Sequence, residues 1–176
     1  MTLIGAAAGA SVEEFLAEYD VSHANDKTST GSTILLEALG NTDPEARLAI
    51  ANRLLDDGAD ASATQPSGIN ALHILFGARS HKFDQEAVLA QRLIDGGADV
   101  NGVGAKFGTP LQTLARNFAY SDDEYAPLYD VLFSRRDLDL TSPQGKRKSV
   151  LEALQLMAAQ RPQLVERAEQ YLARQN

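Results

Sequence analysis

The chain contains no cysteine and no tryptophan among its 176 residues, and aromatic side chains make up only 6% of it. Without thiols there is no disulfide, no thiolate metal site and no cysteine nucleophile, which fits a reducing compartment such as the cytoplasm. Its three histidines, His23, His73 and His81, lie scattered and have no zinc-type spacing. Cations are the scarcer charge: 16 Lys and Arg stand against 24 Asp and Glu, for a net charge of −8. A phosphate-binding surface needs a basic face, so nucleic acid is disfavoured as a direct ligand, whereas a partner with a basic surface would be attracted. No apolar run reaches the length needed to cross a bilayer. The first ten residues, MTLIGAAAGA, lack the positive start of a secretory leader and run directly into VEEF, so they read as a helix. Walker A, GxGxxG, GxSxG and HExxH patterns are all missing, so no cofactor is expected and no catalytic motif is found.

What the chain does have is alanine and leucine, within a hydrophobic content of 44%. That composition favours closely packed helices. It also has internal repetition. The acidic residues Asp20, Asp60, Asp99 and Asp139 can be aligned with four downstream helix starts, Thr33, Asn70, Thr109 and Ser149. Asp60 to Asn70, Asp99 to Thr109 and Asp139 to Ser149 are equal spacings, and the first is three residues longer. A period of about forty residues that keeps both landmarks marks a repeat architecture. Thr109-Pro110 is the sharpest of the starts, with a hydroxyl for the N-cap and a proline suited to the first helical position. Gly97 stands where a helix end calls for positive φ. Ser11-Val-Glu-Glu14 and Thr42-Asp-Pro-Glu45 both read as capping boxes. The glycines of GVGAKFG (102–108) fit a hairpin in this register better than a phosphate loop.

Gly97-Ala98-Asp99-Val100-Asn101 followed by Thr109-Pro110-Leu111 resembles the ankyrin repeat, whose signature pairs GADVN with TPLH. Gly58-Ala59-Asp60 with Asn70-Ala71-Leu72-His73, and Gly31-Ser32-Thr33-Ile34-Leu35, repeat parts of it. The resemblance implies an all-α ankyrin-repeat solenoid of about five helix-turn-helix units joined by hairpin loops. Their bounds fall at approximately 1–27, 28–65, 66–104, 105–144 and 145–176, within one domain. Asp137-Leu138-Asp139 replaces the Gly-Ala-Asp turn in the fourth unit, so the helix ending there should differ. The repeats are longer than the family's usual 33 residues. The extra residues fall between the two helices of a unit, at 77–83 (GARSHKF) and 117–126 (NFAYSDDEYA), and should emerge side by side.

The resemblance implies a non-enzymatic module that binds a protein partner through its concave face. On this register that face holds Ser67, Ile69, Ile74, Lys106, Thr113, Arg116 and Asn117. To these we add the inserted loop, where Tyr120 and Tyr125 flank Asp122, Asp123 and Glu124: tyrosine anchors with carboxylates that steer a basic partner. The same cluster also reads as a solvated loop carrying helix N-terminal charge. A bacterial immunity protein or toxin inhibitor is a narrower form of the binding role, and such a module is expected to be monomeric when free. His73 takes the family position that bonds neighbouring units. Two other classes stand beside the binding module. A small-ligand binder or enzyme under the long loops would use His81, Tyr120, Tyr125, Asp122, Asp123 and Glu124, with at least two of them converging in a deep pocket beside a strongly shifted carboxylate. A self-assembling protein would pair Lys146-Arg147-Lys148 with the acidic loop of another copy.

Overall fold

The structure, a computed structural model, describes residues 3–175. Among the described residues it is all-α: a short 3-10 helix at Val21–His23 and ten α-helices in five pairs, one pair in each of the segments read as units. They are α1 (Leu3–Gly9) with α2 (Val12–Glu18), α3 (Ile34–Leu39) with α4 (Pro44–Asp56), and α5 (Ala71–Phe76) with α6 (Phe83–Asp95). α7 (Pro110–Ala115) pairs with α8 (Asp122–Phe133), and α9 (Val150–Gln155) with α10 (Pro162–Gln175). The odd-numbered helices pack on one another in succession, and the even-numbered helices form a second row beside them. Where hairpins were expected, the described residues contain no strand. Each connecting loop has a single antiparallel bridge instead: Lys27 with Thr33, Thr64 with Asn70, Gly104 with Gly108, Gln144 with Arg147.

The helices are short because each is started and stopped by local chemistry. Thr33, Asn70, Thr109 and Ser149 are all N-caps, and each accepts a hydrogen bond from the backbone N–H three residues on. Such a cap stabilises a helix by about 1 kcal/mol. The central odd-row helices α3, α5 and α7 are buried nearly all round, as helices enclosed by neighbours must be. In α3, Ile34, Leu35, Leu36, Ala38 and Leu39 are all buried. Asp20, Asp60, Asp99 and Asp139 also share one job. In each, Oδ1 accepts the N–H two residues on, fixing the turn before the next unit.

One expectation about caps is corrected, and one helix start is fixed. At α4 the cap is Asp43, whose carboxylate accepts from Glu45 N–H, with Pro44 at the first helical position; Thr42 is not the cap. At α8, Ser121 caps the helix and Glu124 closes the box, so Asp122, Asp123 and Glu124 form its first turn and Pro127 lies inside it. The helix ends follow the sequence reading. Gly58 and Gly97 take φ of +85° and +102°. Beside them Ala59 N–H donates to Leu54 O, and Ala98 N–H to Leu93 O, each at 2.9 Å. α8 has no such glycine and ends at Ser134 in the ordinary helical region.

Neighbouring units are tied by a repeated device. Asn25 donates to Gly58 O and accepts from Asp60 N–H; Asn101 does the same with Asp137 O and Asp139 N–H. Within the third unit Asn70 Nδ2 donates to Asp99 O at 2.7 Å, and between the third and fourth units His73 Nε2 lies 2.8 Å from Gly108 O. With Nε2–H donating to that carbonyl, His73 Nδ1 is left to accept from Asn70 N–H at 3.2 Å. Burial pushes the His73 pKa down, against the opposing pull of the Gly108 carbonyl.

Candidate functional site

The connecting loops and odd-row helices build one face of the molecule, and two depressions lie on it side by side. The first, about 230 Å³, is lined by Ile69, His73, Ile74, Gly77, Phe107 and Thr113. Its walls are apolar because Ile69 and Ile74 are only half-buried, and Phe107 stands 45% exposed on the loop leading to α7. The second is a groove of about 660 Å³ between the fourth and fifth units. Lys106, Arg116, Lys146, Arg147 and Lys148 supply its charge; Leu156 and Met157 supply apolar surface, and no carboxylate lines it. Leu156 is 71% exposed.

Among the described residues none of the groove's five cations is in an ion pair with a carboxylate, a condition they share with Lys27, Arg79, Arg136 and Arg174 elsewhere on the chain. Seven other Lys and Arg side chains, Arg47, Arg53, Lys82, Arg92, Arg135, Arg161 and Arg167, are in ion pairs with carboxylates. The groove arginines instead bond to loop carbonyls. Arg116 Nη1 donates to Phe107 O at 2.8 Å, and Arg147 donates to Gly104 O and Ala105 O. These bonds consume N–H donors without neutralising charge. Glu152 feels the charge of Lys148, and its Oε2 accepts from Ser149 N–H and Oγ–H at the start of α9.

The expected concave-face residues therefore divide. Ile69, Ile74 and Thr113 line the apolar depression, while Lys106 and Arg116 line the groove. Ser67 is exposed on the loop, where its carbonyl accepts from Ala105 N–H at 2.8 Å. Asn117 does not belong with them: its amide donates to Phe76 O and Ala78 O, binding one inserted loop to the other.

The acidic loop is corrected more sharply. Tyr125 is fully buried, and Asp122 is buried as well, so neither is a contact anchor. Asp122 Oδ2 accepts from Gln163 N–H and Leu164 N–H, capping α10 from a neighbouring unit, while Oδ1 accepts from Tyr129 Oη–H at 2.9 Å. Burial, then the Asp122 charge, push Tyr129 upward from its ordinary value. Glu124 is held by Ser121 N–H and Oγ–H, which keep its carboxyl below the usual range. Asp123 is exposed and accepts from Gln163 Nε2 at 2.5 Å. Tyr120 is half-buried, with its hydroxyl 3.3 Å from Arg79 O. The loop packs inward because its backbone carbonyls need donors that solvent cannot reach.

Those donors come from two buried arginines the sequence reading did not single out. Arg161 Nε donates to Ala115 O, Nη1 to Tyr120 O and Nη2 to Asn117 O, at 3.0, 3.0 and 2.5 Å. It also faces the Tyr125 ring at 5.0 Å. Arg47 does the equivalent for the other loop, donating to Asn41 O, to Ser80 O and to Glu86 Oε1. Glu86 Oε2 accepts from His81 Nδ1–H at 2.5 Å, and both side chains are fully buried. The rings of His81, Phe83, Tyr120 and Tyr125 pack edge-on or stacked with centroids 5.0 to 5.9 Å apart. His81, Tyr120 and Tyr125 thus converge as a filled core joining the two loops, whereas Asp122 and Asp123 turn to the start of α10 and Glu124 to the start of its own helix. The deep pocket expected of a small-ligand site under the loops is occupied by these rings.

No protein-family model matches the chain, and no curated protein matches it in sequence. Among solved structures, the crystal structure of a functionally unknown protein from Leptotrichia buccalis C-1013-b is similar, with a TM-score of 0.77 and 24% sequence identity. The match covers 98% of this chain and 93% of that one. The likeness is one of fold. Among the described residues, no helix is long and apolar enough to cross a membrane.

Proposed function

We propose that this chain is an ankyrin-repeat solenoid acting as a non-enzymatic module that binds a partner protein through the face formed by its connecting loops and odd-row helices. The observation that carries the reading is the apolar depression at Ile69, Ile74 and Phe107 lying next to the basic groove on that one face. Exposed apolar surface rimmed by charge is the usual composition of a protein contact. Rigidity supports the same reading, since units tied by the asparagine bonds, His73 and the arginine clamps lose little freedom on association. A small, acidic, cysteine-free chain also suits a cytoplasmic immunity protein or inhibitor that works by covering another protein's surface. That narrower role rests on analogy.

The test is capture of partners from native extract by the purified chain, repeated with two variants. Phe107→Asp alters the proposed face. Val88→Asp alters a residue 63% exposed on α6, in the other row. A stoichiometric protein should be retained by the wild type and Val88→Asp, and lost with Phe107→Asp. Retention of nothing stoichiometric, or equal retention by both variants, would count against the reading.

A further inference from the structure

We infer that the groove between the fourth and fifth units receives an acidic polypeptide segment carrying an apolar side chain, an inference that rests on the binding role above and names its partner's chemistry. The chain as a whole carries −8, so a partner chosen by overall charge would be basic. The groove reverses that locally. Five cations line it, none is in an ion pair with a carboxylate, and the exposed Lys106 and Lys146 have no hydrogen-bond partner among the described residues. Glu152 feels the Lys148 charge but is bonded to Ser149, and five cations gathered with so little counter-charge repel one another, a repulsion an incoming anion relieves.

The anion that fits is a polypeptide rather than a nucleic acid, for two reasons. Leu156 and Met157 lie in the groove, and the apolar depression at Ile69, Ile74 and Phe107 opens beside it. An apolar side chain on the incoming segment buries surface there, while its carboxylates meet the cations. A phosphodiester strand long enough to be held would also run onto a molecule whose remaining charge is strongly negative. The cations confer direction and encounter rate, and the apolar side chain confers residence.

Fluorescence anisotropy with a short labelled peptide of glutamates around one leucine tests this. The controls are the same peptide with glutamines for glutamates and an oligothymidylate of equal charge. Lys146→Glu/Lys148→Glu and the milder Lys146→Gln/Lys148→Gln are the variants. Both lysines are exposed and neither side chain donates a hydrogen bond among the described residues, so the glutamine pair should keep the thermal midpoint, while Lys148→Glu sets like charge beside the capping Glu152 and its midpoint is measured alongside. The acidic peptide should bind the wild type, weaken about tenfold or more with the charge reversal, and weaken again as salt rises. The glutamine peptide binding equally well, or the oligothymidylate displacing the acidic peptide at equal concentration, overturns the inference. Capture from extract separates this failure from that of the binding role. A partner lost with Phe107→Asp but unaffected by the lysine reversal leaves a protein-binding face and removes the acidic segment. A partner lost with both supports it, and one lost with neither removes the face altogether.

Discussion

His73 shows how much one side chain can carry in a repeated structure. It closes the capping box of its own helix and bonds to the next unit through Gly108 O. Because burial lowers its pKa, the folded protein holds it neutral, while the unfolded chain returns it to the ordinary 6.5. The unfolded state then binds the proton more readily, so stability is full above about pH 6.5 and falls with pH until the folded-state value is reached. The capping carboxylates Glu14, Glu124 and Glu152, pushed below their ordinary 4.5 by N–H donors, lose their contribution only in a lower window. His73→Gln removes the upper window and keeps the cap, since Gln112 already closes the equivalent box in the next unit. Urea midpoints measured between about pH 7 and 5 should fall for the wild type and less for the variant. A second residue-scale contrast lies in the glycines. Gly68 and Gly58 both have positive φ, but a Cβ on Gly68 would sit 2.5 Å from Val103 O, while one on Gly58 would meet nothing within 4 Å. Gly58→Ala should cost about 1–2 kcal/mol from backbone strain alone, and Gly68→Ala clearly more, by urea unfolding.

Among the elements, the two inserted loops are stabilised from outside themselves. Arg161 satisfies three loop carbonyls and sits beside Asp122, which in turn caps α10. Arg161→Met removes those donors and leaves a buried carboxylate without its cation, so urea unfolding should register a loss of about 3–5 kcal/mol. The Arg47–Glu86 pair should show the complementary behaviour, with Arg47→Met/Glu86→Leu less destabilised than the sum of the single variants. The difference between what the sequence disclosed and what it concealed follows from these interactions. Caps, turn aspartates and positive-φ glycines act within two or three residues, so Thr33, Asn70, Thr109, Ser149 and Gly97 could be read along the chain. The guanidiniums act across more than thirty residues, Arg161 onto Ala115 and Arg47 onto Glu86. Nothing in the local pattern distinguishes them from a surface arginine. The acidic cluster misled for a different reason, because its signal was local and went unread. Ser121-Asp122-Asp123-Glu124 is itself a capping box, but the loop reading began the helix later and left its carboxylates free. Phe107 was within reach, being a large apolar residue at a loop tip beside the helix start at Thr109.

At the scale of the whole molecule, stability is distributed unevenly along the stack. Each unit leans on its neighbours, so the ends have one neighbour and the middle has two. α2 buries only Phe15, whereas α5 and α7 bury nearly every side chain. Native-state hydrogen exchange should therefore release the amides of α1 and α2 first and those of α5, α6 and α7 last, a gradient readable by mass spectrometry of peptic fragments. Uniform protection along the chain would show instead that the stack opens as one body. The two arginine clamps bear on this in another way, because they face opposite directions. Arg47 reaches forward from α4 to the loop before α6, and Arg161 reaches back from the start of α10 to the loop before α8. The rings of His81, Phe83, Tyr120 and Tyr125 lock the two clamped loops to each other. The third and fourth units are thus a keystone pair, each held from its outer side and joined at the middle. A duplicated unit spliced between them would part the rings and strand both loops, so this array cannot be lengthened at its centre by copying a link. Units added at its ends would leave both clamps and the rings intact.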